Sequence, residues 1–165
     1  VTGLLGCDEV VTPKDFGKEN TGGEIIHKNA LEVTDGILLS ANDFGAVSAE
    51  VDLGSGEVIV SPRDPNSGVP PTKFCLPDVT IDSLEELLAE TSICFYEGNT
   101  DPEIACTMIY KYPYSILQLS DGTELKLGER TSGCSSTIDF CGAKAEKVKE
   151  LLTEIKGNYQ NYLCF

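Results

Sequence analysis

Apolar and polar residues alternate with period two from Val47 onward. Val47, Ala49, Val51 and Leu53 are interleaved with Ser48, Glu50 and Asp52. Gly54-Ser55-Gly56 then turn the chain, and Glu57-Val58-Ile59-Val60 return, so a β-hairpin is expected here. Two shorter apolar runs precede it, Ile25-Ile26 and Ile37-Leu38-Leu39, with Asp35-Gly36 as a turn signal between them. A second hairpin is expected from 108–119 and 124–130, centred on Asp121-Gly122.

The period changes to that of a helix in two places. Ser83 followed by Glu86 reads as a capping box, with Asp82 adding negative charge beside it. Leu84, Leu87 and Leu88 then form an apolar stripe, which predicts a helix over about 84–92. Val148, Leu151, Leu152 and Ile155 fall at i, i+3, i+4 and i+7, with Lys144, Lys147, Glu150 and Glu154 on the other faces. They predict a helix over about 143–156, with Gly157 as its stop. The expected fold class is α+β: antiparallel hairpins with two helices against one face. Residues 1–23 read as an N-terminal arm, and 24–165 as a single domain. Its proline-rich stretch 61–73 is expected to be an exposed loop and a candidate hinge.

Composition narrows the functional classes. The chain has 165 residues, 41% of them hydrophobic, enough for one sizeable core. Twelve basic residues against 27 acidic ones give a net charge of −15. A basic footprint for nucleic acid is absent, and attraction to an anionic membrane is disfavoured. No apolar run approaches the ~20 residues of a membrane span. The seven cysteines form no CxxC pair, and one histidine cannot complete a common Cys/His metal cluster. Spread-out cysteines point to a disulfide framework in an oxidising, extracytoplasmic compartment: secreted, periplasmic or cell-surface. Three disulfides are expected among Cys75, Cys94, Cys106, Cys134, Cys141 and Cys164. Cys106 and Cys134 flank the second hairpin nearly opposite one another, so a bridge between them is geometrically accessible if the strands stay paired that far.

Two local resemblances bear on function. Leu4-Leu5-Gly6-Cys7 resembles the lipobox of bacterial lipoproteins, which implies a lipid anchor at Cys7. Cys106-Thr107-Met108-Ile109-Tyr110, followed by a hairpin and Cys134, is similar to the reactive loop of subtilisin-inhibitor-like proteins. That resemblance covers about 30 residues and implies that Met108 fills a protease's primary pocket, with Ile109 after the scissile bond. The alternative is that Met108 to Tyr110 begin a core strand.

Other candidate chemistry is sparse. His27 is the sole imidazole, lies in a strand-like run and has no nucleophile-elbow motif to serve, so catalysis is not expected. The loops Asp64-Pro65-Asn66-Ser67-Gly68 and Asn99-Thr100-Asp101-Pro102-Glu103 offer oxygens of the kind calcium takes, yet neither follows the EF-hand spacing. No cofactor is expected, with calcium the alternative at those loops. Tyr110, Tyr112 and Tyr114 alternate and would share one strand face, where tyrosines suit a contact surface. Val1, Leu4, Leu5 and Cys7 would give the arm an apolar docking segment with an unpaired thiol. The resulting expectation is a non-catalytic accessory or structural subunit of an extracytoplasmic assembly, self-association included. A serine-protease inhibitor and a lipid-anchored binding protein are the alternatives.

Overall fold

The period-two segment forms the expected hairpin. Asp52 accepts the Gly54 and Ser55 amides on its carboxylate (2.8 and 3.2 Å), and its carbonyl accepts the Gly56 amide (2.8 Å). The computed structural model describes residues 24–27, 29–34, 36–40 and 47–165. The arm, and with it Val1, Leu4, Leu5 and Cys7, lies outside the described residues. In chain order the elements are β1 (Glu24–His27), α1 (Ala30–Val33), β2 (Gly36–Ser40), β3 (Val47–Val51), β4 (Glu57–Pro62) and β5 (Thr72–Cys75). Then follow α2 (Asp78–Ala89), β6 (Ser92–Tyr96), β7 (Ser115–Gln118), β8 (Glu124–Leu127), β9 (Thr137–Cys141) and α3 (Ala145–Asn158), with a 3-10 turn at Tyr159–Asn161.

The fold is α+β. The nine strands among the described residues form one sheet in the order β1-β6-β9-β8-β7-β2-β3-β4-β5. Every neighbouring pair is antiparallel except β8 and β9, which run parallel and share a single register pair, Leu127 with Ile138. The sheet is therefore two antiparallel blocks, β1-β6-β9 and β8-β7-β2-β3-β4-β5, joined at a short seam. Ile37, Val51, Val58, Ile93, Leu117 and Leu127 are fully buried from the strands. Leu84 and Leu88 of α2, and Val148, Leu152 and Ile155 of α3, bury into the same cluster. That cluster spans both blocks, so the helices hold across the seam what few main-chain bonds hold.

Several boundaries depart from the sequence expectation. The first large helix runs Asp78–Ala89, not 84–92. Ser83 is not its cap: it sits within the helix and its hydroxyl donates back to the Val79 carbonyl at 2.7 Å. The start is set by Pro77, in extended conformation, whose carbonyl accepts the Thr80 and Ile81 amides. The last helix is shifted by two residues and runs through Gly157 to Asn158, a difference of the size usual at frayed ends. The 61–73 stretch is loop only at its centre, because β4 extends to Pro62 and β5 begins at Thr72. The second hairpin is shorter than 108–119 with 124–130, pairing Ser115 with Leu127 and Gln118 with Glu124.

Three disulfides join all six cysteines from Cys75 onward. Cys94–Cys141 links β6 to β9 diagonally, two residues away from direct register. Cys106–Cys134 joins the two segments flanking the second hairpin. Cys75–Cys164 ties edge strand β5 to the C-terminal tail, where the Cys75 amide also donates to the Tyr162 carbonyl. Its loop of 89 residues is worth about 4.6 kcal/mol in restricted unfolded-state entropy.

Gly56 shows how tightly α2 seats on the first hairpin. Its φ is +69°, and a Cβ there would overlap the Ile81 side chain of α2. Gly56→Ala is expected to cost about 1–3 kcal/mol through the left-handed backbone alone. Denaturant unfolding with an unchanged slope would register it, and a midpoint equal to the parent's would contradict this packing.

Candidate functional site

The long connection from β6 to β7 is irregular but closely tethered. Gly98 passes so near the 134–136 backbone that a Cβ would collide with the Cys134 carbonyl, and its amide donates to Ser136 Oγ at 3.1 Å. Asn99 and Asp101 cap their own turns, accepting the Asp101 and Glu103 amides at 2.9 Å each. The Cys106–Cys134 disulfide follows, and Gly133 N–H donates to the Thr107 carbonyl at 2.9 Å. Lys111 and Arg130 then exchange a pair of main-chain bonds at 2.7 and 2.9 Å. Between these anchors Met108, Ile109 and Tyr110 stand in solvent, with Met108 85% exposed. They are not the start of a core strand. Ile104 and Tyr112 extend the exposed apolar surface on either side.

The ladder stops at Pro113 for a covalent reason. Its position would be the next to bond across to Gly128, and proline has no N–H to give. Gly128, at φ +73°, turns its own N–H to the Ile138 carbonyl of β9 (2.8 Å), making the seam contact instead. The three tyrosines consequently do not share one regular strand face. Tyr110 and Tyr112 stay outside, their rings 4.4 Å apart and nearly perpendicular, and the Tyr110 hydroxyl donates to Glu129 Oε1 (3.3 Å). Tyr114 turns inward over Gly128, where any side chain would press on its ring.

Tyr114 belongs to a cluster across the seam. Its hydroxyl donates to Asp139 Oδ1, an oxygen that also accepts the Phe140 amide (2.8 Å). Asp139 Oδ2 accepts from Lys149 Nζ at 3.1 Å, and Lys149 donates as well to Glu146 Oε1 at 3.1 Å. The ammonium lies 5.7 Å from the centre of the Tyr114 ring. Burial, reinforced by the Asp139 carboxylate, pushes the Tyr114 phenol well above its usual range. Burial alone would lower Lys149, but its bonds to Glu146 and Asp139 outweigh that and hold its pKa up. At neutral pH the phenol keeps its proton and the amine its charge. The cluster therefore fixes the chain entering β7 to β9 and α3.

The other sequence candidates are scattered. His27 lies in edge strand β1, in register with Ile93 of β6. In the 64–68 loop Asp64 Oδ1 accepts the Asn66 amide (2.8 Å), so that oxygen closes a turn just as those of Asn99 and Asp101 do. Among the described residues no three His, Cys, Asp or Glu side chains are grouped to hold a metal ion. Among them, too, no helix is long and apolar enough to cross a membrane. Sequence reading passed over Asp139 and Lys149. Glu146 and Lys149 at i, i+3 were the available signal, whereas Asp139 and Tyr114 meet only through the seam.

Comparison with protein-family models, curated proteins and solved structures found no match. The cluster itself yields a test. Tyr114→Phe removes one donor from a partly buried carboxylate and is expected to cost about 1–3 kcal/mol. Because the folded-state pKa of Tyr114 lies above its unfolded value, the stabilisation is complete below about pH 10 and is lost as pH rises beyond it. Stability measured from pH 8 to 12 should fall more steeply for the parent than for Tyr114→Phe, and parallel curves would contradict the assignment.

Proposed function

We propose that this chain is a non-catalytic binding protein of an oxidising, extracytoplasmic compartment, an accessory subunit that engages a protein partner through the 104–112 loop. The observation that carries the reading is the set of exposed apolar side chains, Ile104, Met108, Ile109, Tyr110 and Tyr112, on a segment braced by a disulfide and main-chain bonds at both ends. A braced loop loses little conformational entropy on binding, which favours recognition by preorganisation. Aromatic and methionine side chains are the types enriched where protein surfaces meet. Three disulfides fit the oxidising compartment. Whether that is the cell exterior, a periplasm or a cell surface follows from the partner's location.

A second reading has its own support. Met108 is the most exposed side chain of a stretch held on both sides, as a segment offered to an endopeptidase cleft would be. In that case the partner is a serine protease, Met108 fills the primary pocket and Ile109 follows the scissile bond.

Met108→Asp and Ile109→Asp change exposed side chains and are expected to leave stability within about 0.5 kcal/mol of the parent. Each should weaken capture of the native extracytoplasmic partner at least about tenfold, as loss of a central contact does. Undiminished capture by both variants would contradict the loop as the contact surface. Titration against a panel of serine endopeptidases separates the second reading: stoichiometric inhibition relieved by Met108→Asp supports it, and absence of inhibition removes it.

A further inference from the structure

The three disulfides differ in what holds their cysteines together once the bond is removed. Cys94 and Cys141 lie on β6 and β9, within a ladder of five register pairs, and Cys94 is buried. Cys75 lies in β5 with its amide bonded to the Tyr162 carbonyl, and the Tyr159 ring packs edge-on against Phe74. The tail therefore stays beside β5 without the Cys75–Cys164 bond. Cys106 and Cys134 belong to no helix or strand and to no part of the buried core. Cys106 is exposed and Cys134 half-buried. Between Gly98, held by Ser136, and Lys111, held by Arg130, one main-chain bond among the described residues ties the connection to 131–136, that of the Gly133 amide to the Thr107 carbonyl. A thiolate opens a disulfide through an accessible sulfur, and the pair recloses readily only where the structure holds it at high effective concentration. Both criteria single out Cys106–Cys134 as the bond most open to reduction.

We propose that Cys106–Cys134 is a latch on the 104–112 loop, operated by a dithiol reductant: closed, it braces the loop, and opened, it frees the loop while the fold stays intact. The inference rests on the reading of that loop as the contact surface, and makes reduction the regulator of its preorganisation. Cys106 stands midway between Ile104 and Met108, so the freed sulfur releases the surface from within. No core residue lies in 97–113 or 130–136, so the opening is local. The step is thiol–disulfide exchange. One thiolate of the dithiol attacks Cys106 Sγ, the Cys106–Cys134 bond breaks, and Cys134 leaves as a thiolate that takes up a proton. The second thiolate of the reductant attacks the reductant's own sulfur in the mixed disulfide, and Cys106 leaves and is protonated in turn. The reductant ends as a disulfide, and its two electrons reside on the two thiols of the protein.

The test takes the whole oxidised protein, with any thiol already free blocked by N-ethylmaleimide, through a stepwise series of dithiothreitol concentrations. New thiols are labelled with iodoacetamide and mapped by peptide mass. Cys106 and Cys134 should be labelled at a dithiothreitol concentration at least about tenfold below that which labels Cys75, Cys94, Cys141 or Cys164. In the protein so opened, and separately in Cys106→Ser/Cys134→Ser, protection of the Gly133 amide from hydrogen exchange should fall at least about tenfold, with Val58 and Val60 unchanged. The opened parent answers the same question if the double variant does not fold. Labelling of all six cysteines together, or of another pair first, overturns the proposal. Unchanged Gly133 protection after opening overturns it too, because the loop is then held without the disulfide. None of these readouts uses the partner, so a failed latch leaves the contact surface standing. Parent-level capture by both Met108→Asp and Ile109→Asp instead removes the surface, and with it the regulatory part of the proposal.

Discussion

The parallel contact between β8 and β9 is the constraint on which the rest of this fold depends. Elsewhere, neighbouring strands share three to five register pairs, but here they share one. Two antiparallel blocks must therefore be held together by something other than ladder bonds. The core supplies part of it, because α2 and α3 bury apolar side chains against both blocks. The Tyr114–Asp139–Lys149 cluster supplies another part, reaching from the chain entering β7 to β9 and α3. The Cys106–Cys134 disulfide and the close approach of Gly98 to 134–136 complete it at the rim.

The candidate functional features lie along this seam for a topological reason. The chain leaves one block at Tyr96 and enters the other at Ser115, so the connection must cross and cannot be a tight turn. Pro113 has no N–H to continue the β7 ladder, and Gly128 donates its amide to the Ile138 carbonyl of β9. The crossing segment is thus left irregular, and its exposed apolar residues need external bracing, which the disulfide and the Lys111–Arg130 bridge provide. The return of the chain from β8 to β9 brings Arg130 and Thr137 beside the start of α3 and so forms a cleft.

What the sequence made legible was whatever depended on local pattern. The β3–β4 hairpin follows from alternation around a glycine turn, and α3 from the 3-and-4 spacing of Val148, Leu151, Leu152 and Ile155. The Cys106–Cys134 bridge was within reach by symmetry about Asp121-Gly122 only if the strands stayed paired that far; the bridge is present, although the observed register is offset by one residue and regular pairing ends early. What stayed hidden was set by tertiary contacts. β5 and β6 show no clean alternation, and the alternation of β9 spans only Thr137 to Phe140. Val79 and Ile81 disguise the first turns of α2, while Ser83 and Glu86 imitate a cap inside it. α1 depends on Asn29, which accepts the Leu31 amide and donates to the Ala89 carbonyl of α2. Arg130, Thr137, Asp139 and Lys149 carry no motif and come together only because β9 lies parallel to β8.

Native-state hydrogen exchange measures the seam most directly, since it resolves opening of part of a fold from opening of the whole. The amide of Gly128, bonded to Ile138 across the seam, should exchange through a sub-global opening shared with β9 and the 97–112 connection. Its opening free energy should lie below that of the Val58 and Val60 amides inside the larger block. Equal protection at Gly128, Val58 and Val60, falling together with denaturant, would contradict an account in which two blocks meet at a weak join held by side chains.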